Sequence, residues 1–126
     1  MAKIRHIAIV TELENLEKMI AFYSEVFGMR TVWEPDADNV YLSSGSDNLA
    51  LHRVDELAEG VAQALDHLGF FVADADEVQR AEASLRSRGV PILHPARQHR
   101  DGSWSVYCLD PDGNTVQILY DPNTNP

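Results

Sequence analysis

The sequence predicts an α+β fold made of two β-α-β-β-β modules, and three observations lead there. The chain repeats itself: His6 opens the apolar run His6-Ile7-Ala8-Ile9-Val10, and His67 opens His67-Leu68-Gly69-Phe70-Phe71-Val72. Gly28 follows His6 at the same interval at which Gly89 follows His67, with an amphipathic stretch between in both cases. A fixed interval of this kind reports architecture before any motif does. Each half also closes on a pair of alternating apolar segments joined by a polar turn, Ser44-Gly45-Ser46-Asp47 in the first and Asp110-Pro111-Asp112-Gly113 in the second.

Each element follows from local pattern. Lys3–Thr11 alternates as a strand, with Ile7 and Ile9 on one side and His6, Ala8 and Val10 on the other. Asn15 can cap a helix running to about Phe27, whose Leu16, Met19, Ile20, Tyr23 and Phe27 keep helical spacing. Gly28 suits the left-handed residue that ends it. Thr31–Trp33 reads as a short strand, Pro35–Asn39 as a turn, and Val40–Ser43 with Asn48–Val54 as a hairpin. Asp55–Asp66 reads as a linker containing at most one helical turn. The pattern then restarts with a strand at His67–Ala73 and a helix begun by Asp74 with Glu77, a capping-box arrangement. Val78, Ala81 and Leu85 form the apolar face of that helix, and Gly89 ends it. Pro91–Leu93 is the next strand, and Trp104–Leu109 with Thr115–Tyr120 the last hairpin. Module one thus covers about 3–54, the linker 55–66 and module two about 67–121 of a single domain spanning 1–126. One helix covers only one face of its sheet, so two modules side by side are expected to curve into a cup, a half-open barrel with the helices outside.

Composition narrows the function. The chain has 126 residues, a hydrophobic content of 44% that supports a real core, and a net charge of −10. That charge repels phosphate backbones, so no nucleic-acid partner is expected. No apolar run reaches the length of a membrane span. Arg5, His6 and the glutamates at 12, 14 and 17 interrupt any signal-peptide core. Cys108 is the single cysteine, and without an internal disulfide the expected setting is the reducing cytoplasm.

Three segments then carry a resemblance: His6-Ile7-Ala8-Ile9, Phe22-Tyr23-Ser24-Glu25-Val26-Phe27-Gly28-Met29, and Asp110-Pro111-Asp112-Gly113-Asn114. Over about Ile4–Asp121 the chain resembles the vicinal oxygen chelate superfamily, the group of glyoxalase I, methylmalonyl-CoA epimerase, extradiol dioxygenases, and fosfomycin and bleomycin resistance proteins. The resemblance implies a divalent ion (Fe²⁺, Mn²⁺, Ni²⁺ or Zn²⁺) held by the first and last strands of each module. Carried over, His6 and His67 are the first-strand ligands. Gln117 stands where the family usually carries Glu, which gives up an anionic donor. The remaining ligand falls near Leu51 or His52, and strand parity selects His52, because Leu49 and Leu51 should pack on the helix. His99 and Tyr107 resemble the acid-base histidine and substrate-binding tyrosine of extradiol dioxygenases. The blander expectation for His94 and His99 is loop surface, and for Tyr107 a half-buried strand aromatic. Trp33, Tyr41 and Trp104 are aromatic candidates for a pocket wall or for the core.

The resemblance implies a metalloenzyme in which the ion chelates vicinal oxygens of a small substrate, in dioxygenase-like or lyase/isomerase chemistry. The alternative is a metal-free small-molecule binder of the bleomycin-resistance type. A homodimer is expected as well, from the family and from the open sheet edges.

Overall fold

The computed structural model describes residues 4–56 and 65–123. The helical turn considered within the linker falls largely at residues outside these. The chain divides into two compact units, Met1–Val61 and Ala62–Pro126. Each carries one β-α-β-β-β module, so the fold is α+β with two four-stranded sheets and two helices.

In the first unit the strands are β1 (His6–Glu12), β2 (Arg30–Asp36), β3 (Asn39–Ser43) and β4 (Asn48–Val54), with α1 (Leu16–Phe27) after β1. The sheet order is β1-β4-β3-β2, with β1 parallel to β4 and the other neighbours antiparallel. Alternation decides the faces. Ile9 and Thr11 of β1, Leu49 and Leu51 of β4, and Val40 and Leu42 of β3 are buried beneath α1, which presents Leu16, Met19, Phe22 and Tyr23. Phe22, Tyr23 and Phe27 form an aromatic cluster, with ring centroids 4.9 Å, 5.7 Å and 6.1 Å apart. Gly28 ends the helix at φ 68°, and its N–H reaches back to the Ser24 carbonyl, so the sequence reading of this terminus holds.

The expected turn at Pro35–Asn39 is shorter than anticipated. β2 runs on through Pro35 to Asp36, because it is an edge strand and register shifts absorb the proline's missing donor. Asp36 Oδ1 then accepts from the Asp38 N–H and from Asn39 Nδ2, both at 2.8 Å, which closes a tight turn.

The second unit repeats the plan with β5 (Leu68–Phe71), α2 (Ala75–Ser87), β6 (Ile92–Gln98), β7 (Trp104–Leu109) and β8 (Thr115–Tyr120), in the sheet order β5-β8-β7-β6. Leu68, Val106, Cys108, Val116 and Ile118 are buried on the face where α2 packs, against Val78 and Leu85. Asp74 Oδ1 accepts from the Glu77 N–H at 2.8 Å, and Glu77 Oε2 accepts from the Ala73 N–H at 3.1 Å. The capping box is therefore present, displaced by one residue on its return arm. β6 differs most from expectation. It is seven residues long, continues through Pro95, and carries His94 on the strand rather than in a loop. Two register shifts against β7 make room for the proline on this edge. Among the described residues, no helix is long and apolar enough to cross a membrane.

Candidate functional site

Each sheet leaves one face free of its own helix, and the polar chemistry collects there. In the first unit that face carries His6, Ala8 and Val10 from β1, Asn48, Ala50 and His52 from β4, and Asn39 and Tyr41 from β3. His6 Nδ1 lies 2.7 Å from Asn48 Oδ1, its direct partner across the parallel pair. His52 Nδ1 lies 2.6 Å from Asn39 Oδ1 and packs its ring edge-on to Tyr41, with centroids 5.9 Å apart. Register keeps these two imidazoles apart. His52 pairs with Val10, four residues along β1 from His6, a separation of about 13 Å at the usual strand rise. Parity does put His52 on the expected face, but the structure does not bring it beside His6.

The second unit shows which position the repeat makes equivalent. His67 immediately precedes β5, so in register it stands at Thr115, and Gln117 lies two residues beyond. Two residues beyond Asn48, the partner of His6, is Ala50. The counterpart of Gln117 is therefore a buried alanine with no donor.

Around His67 the groups do gather. Its Nδ1 is 2.7 Å from Asp66 Oδ2. Its ring meets Tyr107 edge-on at 5.5 Å between centroids, and His94 meets the same tyrosine at 5.4 Å. Tyr107 is paired with Gln117 across β7 and β8, and Gln117 with Gly69 across β8 and β5. A methyl placed on Gly69 would lie 3.7 Å from Gln117 Oε1 and 3.3 Å from Leu119 Cδ2. The absence of a side chain at Gly69 thus keeps the Gln117 amide uncrowded on the face of His67.

His99 lies just past the end of β6, and its Nε2 is 2.6 Å from the buried Ser105 Oγ. A cavity of about 630 Å³ opens here, lined by Asp66, Leu93, His94, Pro95, Arg97, His99, Ser105, Tyr107 and Thr115. His99 and Tyr107 therefore share one cavity, as their expected roles require. Sequence reasoning missed Arg97 and left His94 as loop surface, because Pro95 hides the alternation of β6. Asp66 was readable as the neighbour of His67 but went unused.

Trp104, one of the aromatic candidates, is half-buried on β7, while Trp33 is exposed and tilts over Tyr41 at 4.8 Å. Burial and the nearby Asp110 push the Cys108 thiol up to about 11, so it is a core group and not a nucleophile. Hydrogen bonds from the Ser103 hydroxyl and N–H hold the exposed Asp101 carboxyl below its usual range.

Donor chemistry can be tested against a divalent ion. An amide or carboxylate oxygen beside Nδ1 can only accept, so in the neutral ring Nδ1 carries the proton and Nε2 keeps its lone pair. His6, His52 and His67 all have this arrangement, the one that prepares an imidazole for metal. The Gln117 Oε1 is a further, neutral donor. Among the described residues, no three His, Cys, Asp or Glu side chains are gathered within either unit. The second unit therefore offers one imidazole with a free Nε2, His67, and one neutral amide oxygen, Gln117, on the same sheet face, a set that would hold an ion only weakly.

Comparison with known proteins agrees with this picture. The family model of the Glyoxalase/Bleomycin resistance protein/Dioxygenase superfamily matches residues 3–118. A trivalent organoarsenical cleaving enzyme of Bacillus sp. (strain MD1) is 30% identical over 118 residues, covering 87% of this chain and 69% of the relative. A 1,2-dihydroxynaphthalene dioxygenase of Sphingobium xenophagum is 28% identical over 88% of this chain, which spans only 37% of that longer enzyme. Among solved structures, a lactoylglutathione lyase from Agrobacterium tumefaciens superposes with a TM-score of 0.77 at 25% identity, covering 95% of this chain and 94% of the other. A polar, helix-free sheet face on the second repeat, the repeat itself and these matches have one explanation: the chain belongs to the Glyoxalase/Bleomycin resistance protein/Dioxygenase superfamily.

Proposed function

We propose that the protein is an enzyme in which a divalent ion, held by His67 and Gln117, acts on a small substrate bearing vicinal oxygens. The observation that carries this reading is the pairing of His67 with Asp66 at 2.7 Å beside an uncrowded Gln117 amide. His6 is the repeat-equivalent imidazole of the first unit, and its proposed role as a ligand rests on the sequence repeat and on its own Asn48 anchor. When bound, such an ion supplies Lewis acidity, polarising the chelated oxygens.

The remaining work falls to the chain. Asp66 fixes the tautomer of His67 and leaves its Nε2 lone pair free for the ion. The Tyr107 hydroxyl, on the cavity wall, donates to or accepts from a substrate oxygen. His99 moves a proton there, its ring oriented by Ser105. Conversions open to this arrangement are dioxygenase-type cleavage or a lyase/isomerase step. Oxygen uptake with a catechol, in protein loaded anaerobically with Fe²⁺, assigns the first; no uptake with the lyase-type metals active assigns the second.

Calorimetry on the unmutated protein with Zn²⁺, Ni²⁺, Mn²⁺ and anaerobic Fe²⁺ tests the reading as a whole. We expect binding of at least one of them, strengthened about tenfold or more in Gln117→Glu, where an anionic oxygen replaces the neutral one. Silence from all four on the unmutated chain would sink the metalloenzyme and leave a metal-free small-molecule binder.

We also propose a homodimer. Every residue of the edge strand β2 is exposed, and Val32 and Trp33 are 56% and 58% accessible, which favours pairing with a second copy. Sedimentation showing only monomer at micromolar concentration would count against it.

A further inference from the structure

The cavity beside Tyr107 contains a cation that the proposed chemistry does not use. Arg97 lies on β6 opposite Ser105 and lines the same hollow as His94 and His99. The chain carries a net charge of −10, so a cation on a cavity wall is a feature to explain. The surrounding carboxylates are engaged elsewhere. Asp66 is bonded to His67, Asp101 accepts from the Ser103 N–H and hydroxyl, and Glu82 accepts from the Ala96 N–H at 2.6 Å while pairing with Arg86 at 3.6 Å. The ion pairs of arginine among the described residues use Arg53, Arg80 and Arg86, and none uses Arg97.

We infer that Arg97 selects a substrate carrying a carboxylate. A guanidinium presents a planar fork of donors that fits a carboxylate two bonds at a time. A single cation in a strongly acidic protein balances a monoanion but leaves a phosphate dianion half-compensated. The rest of the wall is suited to a flat ring: Tyr107 and His94 stand edge-to-face, and Leu93 and Pro95 add apolar surface. A hollow of about 630 Å³ has room for a single-ring molecule. The substrate class is thus an oxygen-bearing, ring-sized carboxylic acid. This inference rests on the reading of the cavity as the substrate site, but not on the metal.

The test compares 2-hydroxybenzoate with 2-hydroxybenzamide, which share the adjacent oxygens and the ring but differ in charge. Titrations use the whole chain after treatment with chelator, so the metal cannot contribute. The unmutated protein should bind the acid roughly tenfold or more tighter than the amide, the scale of one charge-assisted pair. Arg97→Gln should erase that preference while leaving amide affinity as it was, and Arg97→Lys should keep part of it. Arg97 is exposed, so neither substitution disturbs the core, and an unchanged melting temperature checks this. Equal binding of acid and amide by the unmutated chain, a preference that survives in Arg97→Gln, or no binding of either at millimolar concentration would each overturn the inference. A silent metal titration with selective acid binding would overturn the metalloenzyme alone, and metal binding without acid preference would overturn this inference alone.

Discussion

The helix-free faces of the two sheets descend from one pattern and have diverged. Both start from a histidine whose Nδ1 is tied to an oxygen, Asn48 for His6 and Asp66 for His67. Two residues past the histidine's register partner, the first sheet has Ala50 and the second has Gln117. Around His67 stand Tyr107 and His94, while the first sheet's other imidazole, His52, sits about 13 Å along the strand from His6. The lesson is that a duplicated backbone keeps its core and the left-handed glycine after each helix in both copies, whereas reactive groups can concentrate in one. The carboxylate partner is also the stronger anchor, since an anion polarises an imidazole more than an amide does.

The largest expected effect breaks that asymmetry directly. His67→Ala should reduce divalent affinity below detection, because one lost imidazole leaves too few donors. His52→Ala should leave affinity within about twofold, since its register keeps it away from His6. Calorimetry on both variants decides, and equal loss in the two would refute the division drawn between the faces. The cores, by contrast, should behave alike. Leu42 in the first unit and Leu85 in the second are both buried, so Leu42→Ala and Leu85→Ala should each cost about 2–5 kcal/mol in chemical denaturation. A cost below about 1 kcal/mol in either would mean that the two cores have diverged as the faces have.

This contrast also explains what the sequence made legible. The repeat, the helix ends at Gly28 and Gly89, and the hairpin strands Trp104–Leu109 and Thr115–Tyr120 were readable because apolar alternation and turn residues act locally. The faces of Leu51, His52 and Gln117 followed from parity alone. What parity could not give was register. Choosing His52 as the repeat-equivalent of Gln117 needed the offset between β1 and β4, which loop length and packing set and no local signal encodes. β6 was curtailed at Leu93 for a different reason. Pro95 reads as a breaker, and only an edge position with register shifts makes it tolerable. The loss mattered, because His94 and Arg97 lie on that strand.

A smaller effect separates the sheets through pH. Burial and Asp110 raise the Cys108 thiol from 9.0 to about 11. A group that holds its proton in the folded state but loses it when unfolded contributes stability that is complete below pH 9.0. That stability declines as pH rises towards about 11, with a slope approaching 1.4 kcal/mol per unit. Cys108→Ala should flatten this part of the alkaline limb relative to the unmutated chain, and a pair of parallel stability curves between pH 9 and 11 would contradict it. The first unit has no cysteine, so this thiol's contribution belongs to the second unit alone.

The smallest effect concerns how the two helices begin. Asp74 is extended, at φ −155°, and its carboxylate accepts the Glu77 N–H at 2.8 Å. Asn15 occupies the same place before α1 but is already helical in its backbone, at φ −97°, and makes no side-chain cap bond. A cap helps by satisfying a donor that the first turn leaves open, and a carboxylate there adds a favourable interaction with the helix dipole. Asp74→Ala should therefore cost about 1 kcal/mol, and Asn15→Ala less than half of that, measured by urea denaturation at pH 7. Equal costs at neutral pH would mean that helix starts, unlike the sheet faces, have not diverged between the repeats.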